Sequence, residues 1–149
     1  ISRLKRMVKL FPYKEFMQIY AKVPRICVDL IIKTKGGIVF TKRDIPPFKG
    51  MWHLPGGTIL MGENSQQAAK RVAKHETGLD IKIKKNLGIL EYKRLPKYGQ
   101  AISIVYVVTP TGGTLHGCKD GREVMCSKKL PKRTIEEQKK FLKGNNTLI

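Results

Sequence analysis

The sequence predicts an α/β (α+β) fold, one mixed β-sheet held in an α/β/α sandwich. Three observations carry that prediction. Apolar residues alternate with period two through Ile26, Val28, Leu30 and Ile32, and resume at Ile38-Val39-Phe40 after a Gly36-Gly37 turn. A capped helical segment runs from Ser65 to Gly78. A near-continuous apolar run from Ala101 to Val108 suits a central strand, and a basic helix from Ile135 to Leu142 closes the chain. Strands that give way to a helix and then return bury their apolar faces in layers.

The first segment, ISRLKRMVKLF, places Ile1, Leu4, Met7 or Val8, and Phe11 on one helical face. Its charge is all basic: Arg3, Lys5, Arg6 and Lys9. Pro12 separates it from a second helix over about Tyr13 to Ala21, whose apolar side is Phe16, Ile19 and Tyr20. Residues 1–21 are therefore expected to be a basic helical extension, residues 22–144 one domain, and residues 145–149 a tail. The extension reads either as a membrane-surface or nucleic-acid helix or as a helix packed on the domain.

Within the first strand Asp29 lies on the side opposite Val28 and Leu30, beside Cys27 and Ile31. A carboxylate there is costly if buried alone, so it either meets a basic partner or faces a pocket. Lys42 and Arg43 end the second strand, and an arginine at that place can grip a diphosphate through its planar fork of donors. Its alternative is an ordinary surface charge. The loop DIPPFKGMWHL is stiffened by Pro46-Pro47, and Trp52 in it reads as core. Pro55-Gly56-Gly57 reads as a turn. Ser65 is the expected N-cap of the helix, on which Ala69, Val72 or Ala73, and Glu76 share neighbouring turns. Ile81 to Ile83 and Leu87 to Leu90 read as separate strands, Thr111-Gly112-Gly113 as a loop, and Val124 to Cys126 as a short strand.

The chain has 149 residues and is 41% hydrophobic, enough for one domain with a core. No apolar run reaches the length of a membrane span. Cys27, Cys118 and Cys126 have no metal-ligand spacing in sequence, which favours a reduced, cytoplasmic protein. Thirty Lys plus Arg against 11 Asp plus Glu give +19, an attraction for polyanions. RNA or a ribonucleoprotein is thus the alternative partner, set against a lysine-coated solvated surface. No basic motif with interleaved aromatics marks a nucleic-acid module.

The pattern Gly57, five residues, Glu63, seven residues, Arg71, then Glu76-Thr77-Gly78-Leu79 resembles the signature of the Nudix hydrolases. The resemblance implies a loop–helix–loop that holds divalent metal against a nucleoside diphosphate linked to another group. The family's glutamates after the arginine and before the last glutamate are replaced by Val72 and His75. GDP-mannose mannosyl hydrolases lack both as well. The likeness to that branch extends through Cys27-Val28-Asp29-Leu30, Lys42-Arg43, Pro46-Pro47 and Gly50-Met51-Trp52-His53-Leu54-Pro55. It covers roughly residues 16–95.

This resemblance implies the Nudix fold and a hydrolase with Mg2+ as cofactor, Mn2+ being the second choice. It assigns the metal to Glu76 and the Gly57 carbonyl, and the bracing of the loop to Glu63 and Arg71. Arg43 would assist the departing diphosphate, and Asp29 would lie at the sugar end. His75 reads either as a helix-surface residue or as a ligand for a softer metal. The branch's histidine base aligns near Gly121. His116, Asp120 and Glu123 are the neighbouring candidates, and Glu123 is favoured because it directly precedes a strand. Two arginines of that branch are replaced here by Pro46 and Thr58, which sets GDP-mannose itself apart. The expected function is hydrolysis of a nucleoside diphosphate linked to a sugar or similar group, with cleavage at the sugar carbon–oxygen bond. Nucleoside triphosphate pyrophosphohydrolysis and a non-catalytic RNA-binding module are the alternatives. A homodimer is left open.

Overall fold

The structure, a computed structural model, describes residues 10–118 and 120–146. The basic helix expected over residues 1–11 therefore lies almost wholly outside the described residues. The described elements in chain order are α1 (Tyr13–Tyr20), β1 (Arg25–Thr34), β2 (Gly37–Lys42), β3 (Trp52–His53), β4 (Gly56–Thr58), α2 (Ser65–Thr77), β5 (Leu79–Glu91), β6 (Ala101–Gly113), β7 (Val124–Ser127) and α3 (Glu136–Gly144).

Seven strands form one sheet in the order β3-β2-β1-β6-β5, with β4 also on β1 and β7 also on β2. β1 runs parallel to β6, and its other pairings are antiparallel. This is the mixed sheet that the sequence predicts. Residues 27 to 32 of β1 are buried on both faces, so the alternation there sorts side chains between two cores. Val28, Leu30 and Ile32 face α2 with Ala69, Val72 and Tyr106. Ile31 faces α3 with Phe40, Leu54 and Leu142. Each fully buried aliphatic side chain contributes about 1.5–3 kcal/mol.

Several boundaries differ from the sequence reading, each for a physical reason. Asn64, not Ser65, caps α2: its side chain accepts from the Gln67 amide at 2.8 Å, and Gln67 accepts from the Asn64 amide at 2.9 Å. The Ser65 hydroxyl is instead 2.6 Å from the Tyr106 hydroxyl. Pro55-Gly56-Gly57 is not a turn, because Gly56 and Gly57 belong to β4 and pair with Asp29 and Val28. β5 is one strand whose three register shifts, at Asp80/Ile81, Ile83/Lys85 and Asn86/Gly88, break the alternation that sequence reading relies on. β6 continues through Pro110 to Gly113. Beyond Val108 it has lost β1 as a neighbour and pairs with β5 alone, an edge where a missing N–H is tolerated.

α1 lies against the domain. Phe16 and Tyr20 meet edge to face at 4.8 Å, and the Arg25 guanidinium sits 5.5 Å from the Phe16 ring centre. A side chain at Gly99 would strike the Tyr20 carbonyl at 2.3 Å. The described residues contain no helix long and apolar enough to cross a membrane.

Candidate active site

Three elements and one late loop converge on the C-terminal end of α2. Gly78 ends that helix at φ +76°, a left-handed conformation that glycine adopts readily. A side chain there would lie 2.3 Å from the Thr114 carbonyl oxygen and 2.5 Å from the His116 ring. The close approach lets the 114–123 loop fold back over the helix end, and the His116 amide donates to the Thr77 carbonyl at 2.8 Å. Cys118 then donates to the Glu76 carboxylate at 3.0 Å. The rest of the loop lies along the end of β2: the Asp44 amide donates to the Asp120 carbonyl at 2.9 Å, and the Arg122 amide to the Asp44 carboxylate at 3.2 Å. Asp44, Ile45, Asp120, Arg122 and Glu123 line an open groove there.

Arg43 is aimed by its surroundings. Its Nε donates to the Pro47 carbonyl at 2.6 Å. Burial and the nearby Arg25 charge hold its guanidinium below the usual arginine range, while Glu76 and Asp120 act in the opposite sense. Glu76, Arg43 and Asp120 thus share one electrostatic neighbourhood. Glu123 is exposed, and its carboxylate stands 3.8 Å from Lys42 Nζ.

The loop before α2 is tied down by an ion pair. Arg71 Nε donates to Glu63 Oε2 at 2.7 Å, and its Nη2 donates to Glu63 Oε1 at 2.9 Å and to the Thr58 carbonyl at 2.8 Å. Glu63 also accepts from the Leu60 amide at 2.9 Å. Burial pushes the Glu63 carboxyl up, but the Arg71 and Leu60 hydrogen bonds outweigh it and leave the group below its ordinary value. β4, which leads into that loop, carries Gly57, where a side chain would meet Val72 Cγ2 at 3.0 Å. Val72 is 2% exposed and belongs to the core beneath α2. The ladder bonds Leu30 N to Pro55 O and Ile59 N to Ile26 O alternate about the Val28–Gly57 pair. In an antiparallel ladder that alternation directs the Gly57 carbonyl toward β1, and the Gly56 carbonyl away from it.

Asp29 is 6% exposed. The basic partner that one of the two sequence readings expected is not there: among the described residues Asp29 has no ion pair. Tyr92 Oη donates to it at 2.5 Å, Gln138 Nε2 donates to Tyr92 Oη at 2.8 Å, and Gln138 accepts from the Leu54 amide at 2.6 Å. Burial pushes the Asp29 carboxyl up to about 6, opposed by hydrogen bonds from Tyr92 and Ser103 and by the Arg25 charge. Tyr92 and Gln138 were not singled out in the sequence, since they lie 63 and 109 positions away and share no periodicity with Asp29.

Sequence reasoning also missed Arg25 and Cys118. Arg25 Nη1 reaches the Thr58 hydroxyl at 3.4 Å and brings a cation to the side of β4 where Thr58 stands. Cys118 has no metal-ligand spacing in sequence, yet its sulfur and ligand atoms of His75 and Glu76 all lie within 4.8 Å of one another. Burial and the neighbouring Glu76 push the Cys118 thiol up to about 11. His53 is withdrawn from chemistry: burial lowers its ring to about 4, and Nδ1 lies 2.7 Å from the Leu54 carbonyl.

A hard divalent ion fits this end of α2 modestly. Glu76 is the carboxylate on the helix's last turn, so such an ion would complete its shell with water and substrate phosphate oxygens, as magnesium commonly does.

A family model for the NUDIX domain matches residues 23–144. An ADP-ribose pyrophosphatase of Methanocaldococcus jannaschii is 36% identical over 118 residues, 78% of this chain and 70% of that protein. The low-salt glycan biosynthesis protein Agl8 of Haloferax volcanii is 40% identical over 81 residues, 54% of this chain and 52% of its own length. Among solved structures, a MutT NUDIX hydrolase of Burkholderia pseudomallei superposes with a TM-score of 0.70 at 21% identity, covering 81% of this chain and 97% of that one. A bifunctional NMN adenylyltransferase/ADP ribose pyrophosphatase of Francisella tularensis, complexed with AMP and a Mn ion, gives 0.68 at 20% identity over 87% of this chain and 45% of that one.

Proposed function

The chain belongs to the NUDIX domain family of hydrolases, and on that premise we propose that it hydrolyses a nucleoside diphosphate linked to a sugar or similar group. The observation that carries the reading is that the late loop bonds Glu76 through the Cys118 thiol and the residue after Arg43 through the Asp120 carbonyl, which brings Arg43, Glu76 and Asp120 to the end of α2. That arrangement supplies a cation for diphosphate oxygens and a carboxylate for a metal ion. The Methanocaldococcus jannaschii relative, an ADP-ribose pyrophosphatase, supports the same substrate class.

A divalent ion, Mg2+ with Mn2+ as the second choice, would be held by Glu76 with the Gly56 carbonyl; the Gly57 carbonyl expected from the sequence is turned toward β1 instead. When bound, it supplies charge stabilisation to the diphosphate oxygens. The chain's own residues do the rest. Arg43, oriented through Pro47, binds the diphosphate and stabilises the charge that grows on it as it leaves. The Glu63–Arg71 pair keeps the glycine strand at its distance from α2. Glu123 and Asp120 line the groove beside Arg43, and one of them takes the proton from the attacking water. Asp29, beneath Gly56, is assigned to the sugar end of the substrate.

Cleavage of the sugar carbon–oxygen bond is the finer reading. Its support is Val72, which occupies the core where the ordinary signature has a carboxylate, so α2 offers Glu76 without that second acid for attack at phosphorus. Hydrolysis of a panel of nucleoside diphosphate sugars, ADP-ribose and GDP-mannose included, in oxygen-18 water tests both levels. Label in the released sugar supports carbon–oxygen cleavage. Label in a phosphate replaces that reading with pyrophosphate hydrolysis, and no turnover of any member contradicts the substrate class.

A further inference from the structure

The ordinary signature presents oxygen donors, which suit magnesium. This chain presents a different set at the same place. His75 offers an imidazole nitrogen, Glu76 a carboxylate oxygen and Cys118 a sulfur, with all three ligand atoms within 4.8 Å of one another. Magnesium gains little from nitrogen and sulfur, whereas zinc and its first-row neighbours bind such mixed sets well. Three protein donors with a fourth position open is the usual composition of a reactive zinc site.

The geometry is close to what such an ion needs. Tetrahedral bonds of about 2.0–2.3 Å place ligand atoms roughly 3.3–3.8 Å apart. The Cys118 sulfur and Glu76 Oε2 already stand 3.0 Å apart, joined by the thiol proton. His75 is exposed at the helix surface, so its ring can swing inward without displacing core. The loop that brings Cys118 here is held from both sides, by His116 N on the Thr77 carbonyl and by the Lys42 and Asp44 amides on the Glu123 and Asp120 carbonyls. Such anchoring lowers the ordering cost of assembling a site from residues 42 positions apart.

We propose that His75, Glu76 and Cys118 form a binding site for a borderline divalent cation of the zinc class. The ion replaces the thiol proton of Cys118: one metal–sulfur bond forms, one S–H bond breaks, and the proton leaves to solvent. The site shares Glu76 with the hydrolytic reading, so a zinc-class ion and magnesium compete for that carboxylate. Its existence does not depend on any substrate.

The test is a titration of the full chain with Co2+, a spectroscopic substitute for zinc, under reducing conditions. The expected result is a thiolate-to-cobalt charge-transfer band in the near ultraviolet that saturates at one ion per chain. About one proton should be released per ion, and zinc should displace the cobalt stoichiometrically. Cys118→Ser should abolish the charge-transfer band, and His75→Ala should weaken binding more than about tenfold. Circular dichroism and thermal unfolding confirm that each variant is folded. Absence of the band in the folded wild-type protein overturns the proposal. So does an unchanged band in Cys118→Ser, which would point to Cys27 or Cys126. Because the readout is binding, a wild-type protein that hydrolyses a nucleotide sugar without the band defeats this inference alone. A band without turnover defeats the hydrolytic reading alone.

Discussion

Asp29 is where burial most needs a reason. A carboxyl raised from 3.8 to about 6 is a group whose charged form the fold disfavours. The sign follows from linkage. The native state holds this proton more tightly than the unfolded chain, so the penalty is full above pH 6 and vanishes as pH falls below about 4. A rise of that size corresponds to roughly 3 kcal/mol at neutral pH. We expect Asp29→Asn to raise the unfolding temperature at pH 7.5 and to flatten the part of the stability profile between pH 4 and 6 that this residue causes. We also expect it to lower turnover, since Asp29 is the proposed contact at the sugar end. Thermal unfolding of both proteins across pH, with rates in parallel, checks this. A variant that is less stable at pH 7.5 and fully active would leave Asp29 a purely structural residue. From the sequence, the cost of this carboxylate was legible and its remedy was not. Tyr92 reaches it from just beyond β5, held in turn by Gln138 of α3, and neither position carries a local signal.

At the scale of elements, α2 and its flanking loops set the geometry. Asn64→Ala removes the side-chain half of the capping box, leaves the residue-64 amide on Gln67, and should cost about 1 kcal/mol in a denaturant titration. Gly78→Ala should cost more, because the new methyl meets the Thr114 carbonyl and the left-handed backbone is strained at once. It should also loosen the loop that carries Cys118 and Asp120. Arg71→Ala would strand Glu63, whose side chain is 4% exposed, and should destabilise the fold by roughly 2–3 kcal/mol. That is below the usual cost for a fully buried pair, since Arg71 itself is 30% exposed. Measured losses under half a kcal/mol at Asn64 or Arg71 would contradict the bracing account. The helix was the most legible element, because its caps and the left-handed glycine are local features. Its N-cap was misplaced by one residue because Ser and Asn are both good caps, and only the Gln67 partner distinguishes them. β3 and β4 were illegible. Two- and three-residue strands have no period to read, and a glycine pair that lets β4 lie beside Asp29 looks the same as a turn.

At the scale of the molecule, the two cores and the mixed sheet follow from period-two patterns that any soluble sandwich shows. The site does not. Arg43, Glu76 and Cys118 come from three separate parts of the chain, and sequence placed the first two through a resemblance and the third nowhere. The charge of +19 belongs to this scale too. If its role is adsorption of polyanions, an RNA oligomer should dissociate as salt rises, with a slope near one power per phosphate neutralised. A salt-independent association would require a specific interface instead. The central claim is that hydrolysis runs through the carboxylate at the end of α2, and Glu76→Gln tests it most directly. Wild type and variant are compared on the best nucleoside diphosphate sugar of the panel with magnesium, after unfolding curves show both are folded. The account predicts a loss of about two orders of magnitude or more in kcat. A variant that turns over at the wild-type rate would contradict it.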